Sequence, residues 1–189
     1  MKTYIALLRG INVGGKNVLP MKDLVTLLED IGAQNVKTHI QSGNAVLQSQ
    51  ETNASLLSNE IGNAIMERHG LEPRVLLLEP KEVEEVVESN PFREAESEPR
   101  TLHVYFLASE PKSPDLYALE SIRSGNERFA LRGRALYLHA PDGIGRSKLA
   151  ANAEKLLGVS VTARNWRTVR KLMAMGRSEA NAISRTDIE

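Results

Sequence analysis

The order of short apolar runs, which is the same in both halves of the chain, restricts the fold more than any other feature of the sequence. In the first half, apolar spacing predicts a strand, a helix, two strands, a helix and a strand at 3–8, 21–31, 35–40, 44–49, 54–69 and 73–78. The same order recurs in the second half at 101–108, 113–123, 128–131, 135–140, 147–157 and 160–163. Because β-α-β-β-α-β is the order of a ferredoxin-like unit, we predict an α+β fold of two tandem ferredoxin-like units.

Helical patterns outside the two repeats set the predicted boundaries. An acidic helix at 80–88 connects the halves, and a helix at 166–175 follows the last strand. Ser42-Gly43 predicts a tight hairpin turn, and Pro20 the first position of a helix. We expect three segments: a first unit at 1–79, the connecting helix with a second unit at 80–176, and a polar, loosely held tail at 177–189.

Composition excludes several classes of function. The chain has no cysteine, which excludes disulfides, thiolate nucleophiles and cysteine-ligated metals. Its four histidines lack the spacing of metal ligands, so we expect neither a metal nor a cofactor. No apolar run approaches the roughly 18 residues of a membrane span, and we expect a cytoplasmic protein without a membrane partner.

The net charge is zero, but acidic and basic residues are segregated along the chain. Residues 79–122 carry 11 acidic and 4 basic side chains, whereas residues 123–177 carry 12 basic and 3 acidic ones. Two interpretations are open: the basic stretch attracts a polyanion such as a nucleic acid, or the two regions compensate each other within the chain or across a dimer.

A glycine-rich polar loop directly follows the first strand and is the strongest candidate for a binding site. It reads Arg9-Gly-Ile-Asn-Val-Gly-Gly-Lys-Asn17. Backbone N–H groups at Gly14 and Gly15, with Arg9 and Lys16 at the rim, suit a phosphate or carboxylate, and Asn12 and Asn17 supply orienting hydrogen bonds. In the alternative interpretation, the glycines only permit positive φ in a long connection that the asparagines cap.

The same loop matches the core of a phosphate-binding P-loop, G-x-x-x-x-G-K, but only in part. Asn17 stands where that motif needs Ser or Thr to hold Mg²⁺, and Val18-Leu19-Pro20 delays the helix that should begin at Lys16. The predicted sheet is also rich in antiparallel pairs. These departures argue against a nucleotide hydrolase.

Three further loops carry polar residues with both a structural and a functional interpretation. Ser42 and Asn44 belong to the predicted hairpin turn, and polar loops at one sheet edge can combine into one pocket. Arg146 and Lys148 flank Ser147, a natural N-cap, so that loop is either a cap or a second anion cradle. The third loop joins the last strand to the last helix and contains Arg164 and Asn165.

Three segments in order are similar to the hallmark segments of a known bacterial family. They are Leu8–Asn17, Thr38–Asn44 and Thr162–Leu172. The chain is identified as a member of domain-of-unknown-function family 1697, with His39 standing where we expect an aromatic residue such as tyrosine. The resemblance implies a tandem ferredoxin-like architecture in a bacterial cytosolic protein, and it implies no activity.

The sequence therefore predicts binding of a small phosphate- or carboxylate-bearing molecule, with Arg9, Lys16, Asn44 and Arg164 near one cleft. Two alternatives are open: a nucleic-acid-binding protein that uses the basic stretch 123–177, and an oligomeric scaffold without a ligand. The segment Arg132–His139 is only faintly similar to the RNA-reading strand of an RRM: Tyr137 and His139 share one face, but Arg134 and Leu136 occupy two of the stacking positions. The sequence leaves the oligomeric state and any catalytic role open.

Overall fold

The computed structural model describes the backbone of residues 1–186 and the side chains of residues 1–182. The chain divides into two compact units, which are described separately below. The first contains residues 1–84 and the segment that begins at Lys171, and the second contains residues 85–170. The C-terminal segment thus belongs to the first unit rather than forming a separate tail, and residues 187–189 of the predicted tail lie outside the described residues.

The first unit has a four-stranded antiparallel sheet in the order β2-β3-β1-β4. Its strands are β1 (Lys2–Arg9), β2 (Gln34–Thr38), β3 (Asn44–Ser49) and β4 (Arg74–Leu78). Its helices are α1 (Met21–Asp30) and α2 (Ala54–His69). Alternate residues of the central strand β1, including Tyr4, Ala6 and Leu8, form one hydrophobic core with residues of both helices such as Leu24 and Ile61.

The other face of this sheet is also covered. Ile5 and Leu7, which alternate with the core residues of β1, are fully buried. A Cβ placed on Gly176 of α6 (Trp166–Thr186) would lie 2.8 Å from Ile5 Cδ1, and Gln48 Nε2 donates to the Glu179 carbonyl at 3.2 Å. The part of α6 that belongs to the first unit therefore packs on the face that α1 and α2 leave open.

The second unit repeats the topology with the order β6-β7-β5-β8. Its strands are β5 (Leu102–Leu107), β6 (Arg128–Arg132), β7 (Ala135–His139) and β8 (Val161–Asn165). Its helices are α4 (Leu116–Ile122) and α5 (Lys148–Leu157), with short 3-10 turns at Arg93–Ser97 and Ile144–Arg146. Tyr105, Leu138 and Leu149 belong to a core between this sheet and its helices.

The second sheet has a cover of different origin on its other face. The Tyr137 hydroxyl donates to the Val86 carbonyl at 2.7 Å, close to the end of α3 (Pro80–Glu88). The Phe92 ring lies 6.3 Å from the His139 ring and 4.9 Å from the Arg128 guanidinium. In this unit, the connecting segment between the two repeats covers the sheet.

The predicted tandem ferredoxin-like fold is confirmed, and the differences lie at element ends. β2 ends at Thr38 rather than Ile40, because Ile40 adopts a positive φ of 49° in a turn wider than the predicted hairpin. Pro20 is the residue before α1, not its first residue. α4 begins at Leu116, where the Asp115 carboxylate accepts the Ala118 N–H at 2.8 Å and so caps the helix.

The last helix continues well beyond the predicted end at Met175, to Thr186. Polar composition suggested a tail, but Glu179 is only 6% exposed and accepts a hydrogen bond from Lys37 Nζ at 2.5 Å. A polar residue with a partner in the fold stabilises the helix, and composition alone does not reveal that partner. Within the part of the chain that the structure describes, none of the helices combines the length and the apolar composition that a membrane span requires.

Candidate functional site

The glycine-rich loop of the first unit folds into a tight turn. Val13 and Lys16 form an antiparallel bridge, and the Lys16 N–H donates to the Val13 carbonyl at 3.0 Å. Gly14 and Gly15 between them have φ values of 57° and 75°. Residues with a Cβ rarely adopt this conformation, so the backbone requires glycine at both positions, as the alternative interpretation of the loop expects.

Two asparagine side chains hold the base of the loop. Asn12 Nδ2 donates to the Leu19 and Gln41 carbonyls at 2.8 and 2.9 Å, and Asn12 Oδ1 accepts the Leu19 N–H at 2.8 Å. Asn17 Nδ2 donates to the Gly10 carbonyl at 2.7 Å. Both asparagines have φ near 50°, which this residue tolerates better than most. These hydrogen bonds therefore hold the loop in one defined conformation.

The tip of the loop is open to a ligand. Val13, Gly14, Gly15 and Lys16 are exposed, and a Cβ added to either glycine would meet no atom within 4 Å. Within residues 1–182, no acceptor receives the N–H of Gly14 or Gly15, and no carboxylate pairs with Lys16. The tip thus combines two backbone donors, open space and one lysine.

The β2–β3 turn packs directly against this loop. The Leu8 N–H donates to the Gly43 carbonyl at 2.7 Å, and a Cβ on Gly43 would lie 2.8 Å from Leu8 Cβ and from Ile11 Cδ1. Asn44 is fully buried, and its Nδ2 donates to the His39 carbonyl at 3.1 Å and to Ser42 Oγ at 2.8 Å. The two polar loops therefore pack together at one sheet edge, and that they form one pocket stays a prediction.

The contacts change the roles expected for two asparagines. We expected Asn12 and Asn44 to orient a ligand, but both hydrogens of each side-chain amide already bond within the fold. An amide has only two N–H donors, so these side chains position the loop and the turn instead. The Asn17 amide likewise uses one of its two N–H donors to bind the Gly10 carbonyl.

Basic side chains cluster at the same end of the first sheet. Arg9 lies directly opposite Arg74 in the antiparallel pairing of β1 with β4. Directly opposed residues project from the same face of a sheet, so the Arg9 and Arg74 side chains leave the same face at the base of the loop. Burial and the charge of Lys171 lower the pKa of His39, which places a further cation near the β2–β3 turn.

The geometry does not fit a P-loop. α1 begins at Met21, well after Lys16, and every strand pair of this unit is antiparallel. A P-loop needs a helix whose N-terminus begins at the lysine and a parallel sheet. The structure therefore agrees with the argument against a nucleotide hydrolase.

The other predicted residues belong to the second unit. Ser147 caps α5 by accepting the Ala150 N–H at 3.0 Å, and Arg146 and Lys148 beside it are exposed. Asn165 accepts the Thr168 N–H at 2.9 Å and so caps α6. Burial lowers the pKa of the Arg164 guanidinium to about 10. That Arg164 shares a cleft with the glycine-rich loop stays a prediction.

Several side chains of the basic stretch form ion pairs with the acidic middle region. Arg128 pairs with Glu94 at 2.5 Å, and Arg170 pairs with Glu96 at 3.5 Å. Tyr137, which lies on the strand that is similar to the RNA-reading strand of an RRM, is 1% exposed, and burial raises its pKa to about 12. These contacts favour compensation within the chain, and the buried ring of Tyr137 is not available for stacking.

Comparison with known proteins agrees with the fold. The family model described as protein of unknown function (DUF1697) matches residues 1–137. The chain belongs to this family. A conserved bacterial protein from Streptococcus pneumoniae has a similar solved structure, with 22% sequence identity and a TM-score of 0.65. That similarity covers 92% of this chain and 98% of the other, and it shows the fold alone. No curated protein matches the chain.

The DUF1697 match includes the glycine-rich loop and the β2–β3 turn, and it ends before the loop that precedes α5.

Two residues at the sites of this family member were missed from the sequence. Arg74 could have been found only from the β1–β4 register, which the apolar pattern does not reveal. Glu127, considered below, follows a turn in a basic stretch and has no motif around it.

Proposed function

We propose that the chain binds a small molecule with a phosphate or carboxylate group at the glycine-rich loop of the first unit. The observation that carries the proposal is the open tip, where the N–H groups of Gly14 and Gly15 are available beside the exposed Lys16. Backbone N–H groups and a lysine ammonium group can only donate hydrogen bonds, and an anion needs such donors around it.

Each part of the loop has a distinct role in this proposal. Gly14 and Gly15 allow close approach of the anion to the backbone, because any side chain there would occupy the open space. Lys16 and Arg9 supply positive charge, and Arg74 beside Arg9 adds to the local field. Asn12, through its three hydrogen bonds, keeps the loop in shape before the ligand arrives. The proposal concerns binding, and no residue is assigned a catalytic role.

The decisive experiment titrates the protein with inorganic phosphate, and separately with acetate, by two-dimensional NMR. We expect the amide signals of Gly14 and Gly15 to shift. Lys16→Gln should weaken binding about 10- to 100-fold, because a hydrogen bond to a charged group contributes about 1.5–3 kcal/mol. Gly14→Val should abolish binding, since its side chain blocks approach to the backbone. Lys22→Gln, which removes an exposed lysine from α1, is the matched control and should bind like the wild type.

A second arm tests the nucleic-acid alternative. The variant in which Arg132, Arg134, Arg167 and Arg170 are all replaced by Gln should bind phosphate like the wild type. If the basic stretch binds single-stranded RNA or DNA, the same variant should lose that binding, and the logarithm of affinity should fall with the logarithm of salt by roughly 0.7–0.9 per phosphate contact. Salt-dependent oligonucleotide binding that survives Gly14→Val, without phosphate binding at the loop, would overturn the proposal.

A further inference from the structure

The second unit contains a cavity of about 450 Å³ that is distinct from the glycine-rich loop. It lies where the turn before β6 meets the loop between β7 and α5. Its polar lining includes Ser124, Asn126, Glu127, Asp142 and Arg146. The volume is within the range of about 300–1,000 Å³ that is typical of small-molecule sites.

Glu127 is the most unusual residue of this lining, because a carboxylate is rarely buried. It is only 4% exposed. Glu127 Oε2 accepts the Ser124 N–H at 2.9 Å, whereas Oε1 has no hydrogen-bond partner among the residues that the structure describes. The nearby Arg123 donates to the Glu127 carbonyl, pairs with Glu120 and also attracts the Glu127 carboxylate, so two carboxylates share this one cation. A buried carboxylate is costly unless it gains a partner, which points to a cationic group in the cavity.

A second carboxylate and one cation complete the charge pattern. Asn126 Nδ2 donates to Asp142 Oδ2 at 2.6 Å, which orients that carboxylate at the cavity and uses only one of its oxygens. Arg146 lines the same cavity, is exposed, and forms no ion pair within the described side chains. Two carboxylates and one guanidinium leave the lining with one net negative charge.

We propose that this cavity binds a basic amino acid, a molecule with two ammonium groups and one carboxylate. The ammonium groups bind the Glu127 and Asp142 carboxylates, and the ligand's carboxylate binds the Arg146 guanidinium. A ligand with one net positive charge neutralises the lining, and every interaction is a charge-assisted hydrogen bond. The site is separate from the glycine-rich loop, so this proposal can be tested independently of the function proposed above.

The test is an NMR titration with L-lysine, followed by calorimetry. We expect the amide signals of Asn126 and Gly143 to shift, with a dissociation constant of about 1 mM or tighter. Glu127→Gln keeps the shape of the side chain and an acceptor for Ser124, and it should weaken lysine binding at least about 10-fold. Lys155→Gln, at the far end of α5, is the matched charge control and should leave binding unchanged.

A second ligand distinguishes binding of the ammonium groups from binding of the carboxylate. It also provides a test that does not depend on the folding of Glu127→Gln. 1,5-Diaminopentane has the two ammonium groups of lysine but no carboxylate. Arg146→Gln changes an exposed residue, so it should fold normally, weaken lysine binding and leave diaminopentane binding equal or stronger. The proposal is overturned if about 10 mM lysine shifts no cavity signal, or if Arg146→Gln and a folded Glu127→Gln both bind lysine like the wild type. Gly14→Val should have no effect on lysine binding.

Discussion

The two units have the same strand order and the same antiparallel pairing, yet a different segment covers the second face of each sheet. In the first unit the cover is the later part of α6, around Gly176 and Glu179. In the second unit it is the end of α3 with the segment that follows it, around Val86 and Phe92. The β-α-β-β-α-β order specifies only the face packed by its own two helices. The other face needs additional chain, and each repeat obtains it from a different place.

The glycine-rich loops differ in a related way. In the first unit the long loop joins β1 to α1, whereas in the second unit the loop with Asp142 and Gly143 joins β7 to α5. Because β1 and β3 are antiparallel, as are β5 and β7, these connections leave equivalent sheets at opposite ends. A shared topology therefore constrains the strands and leaves each unit free to build a site at a different end.

The largest expected effect compares the two strand-to-strand turns. Gly43 and Gly133 both have positive φ, but only at Gly43 would a Cβ collide with neighbours, including Leu8 Cβ at 2.8 Å. Gly133→Ala should cost about 1–2 kcal/mol of unfolding free energy from backbone strain alone. Gly43→Ala should cost about 1–3 kcal/mol more, because Leu8 Cβ is fixed to the central strand and cannot turn away.

Chemical denaturation of the two variants measures this difference. Equal losses for Gly43→Ala and Gly133→Ala would mean that the glycine-rich loop does not pack on the β2–β3 turn as described. The same variants should also differ in phosphate binding, since only Gly43→Ala displaces the base of the loop.

The next effect concerns the cover of the first sheet. Gly176→Val places a Cβ 2.8 Å from Ile5 Cδ1, and we expect a loss of about 1–3 kcal/mol of unfolding free energy. The value should lie toward the lower end, because Ile5 Cδ1 is the tip of a flexible side chain. Ser178→Val, an exposed position on the same helix, is the control for the lower helix propensity of valine. If both variants lose the same stability in thermal or chemical unfolding, α6 does not pack on this sheet.

A substitution in the cover of the second sheet should reduce the free energy of unfolding less. Tyr137→Phe removes the hydrogen bond to the Val86 carbonyl while keeping the buried ring, and we expect a loss of about 1 kcal/mol. Denaturant unfolding gives the loss, and hydrogen exchange of the segment after α3 should become faster. Unchanged stability and exchange would show that this hydroxyl contributes nothing to the cover.

The smallest effect is a dependence of stability on pH. Burial lowers the pKa of His103 in β5 below its ordinary value of 6.5, and this effect outweighs the opposing influence of the Thr101 backbone. The unfolded chain therefore binds more protons than the folded one as the pH falls below 6.5, and the free energy of unfolding should decrease over that range. NMR titration of the ring measures the pKa directly. A value at or above 6.5 would contradict the burial argument, and His103→Gln should flatten the pH dependence.

Much of the fold could be predicted because it depends on local patterns. The bounds of α2 and β3 agree with the sequence prediction, since apolar spacing and the glycine at position 70 define them locally. The end of α6 could not be predicted, because the helix is stabilised by contacts such as Lys37–Glu179 between residues far apart in the chain. Composition suggested a tail where tertiary contacts stabilise a helix.

The candidate site could be predicted only in outline. Gly14, Gly15 and Lys16 were identified because their residue types are unusual in one short loop. The structural role of Asn44 was missed, and that of Asn12 was only the alternative interpretation, since an amide that binds a ligand and one that binds a carbonyl look the same in a sequence. The Arg9–Arg74 pairing depends on strand register, which the apolar pattern leaves undefined.

The division of the chain also determines the order in which its parts can fold during synthesis. The second unit is continuous in sequence, so all its strands are synthesised before Lys171 is added. The first unit begins earlier, but Lys37 and Gln48 find their partner Glu179 only after a separation of 142 and 131 residues. One face of the first unit's sheet therefore remains uncovered while the second unit is synthesised. Ile5 and Leu7 on that face are exposed to aggregation until α6 is complete.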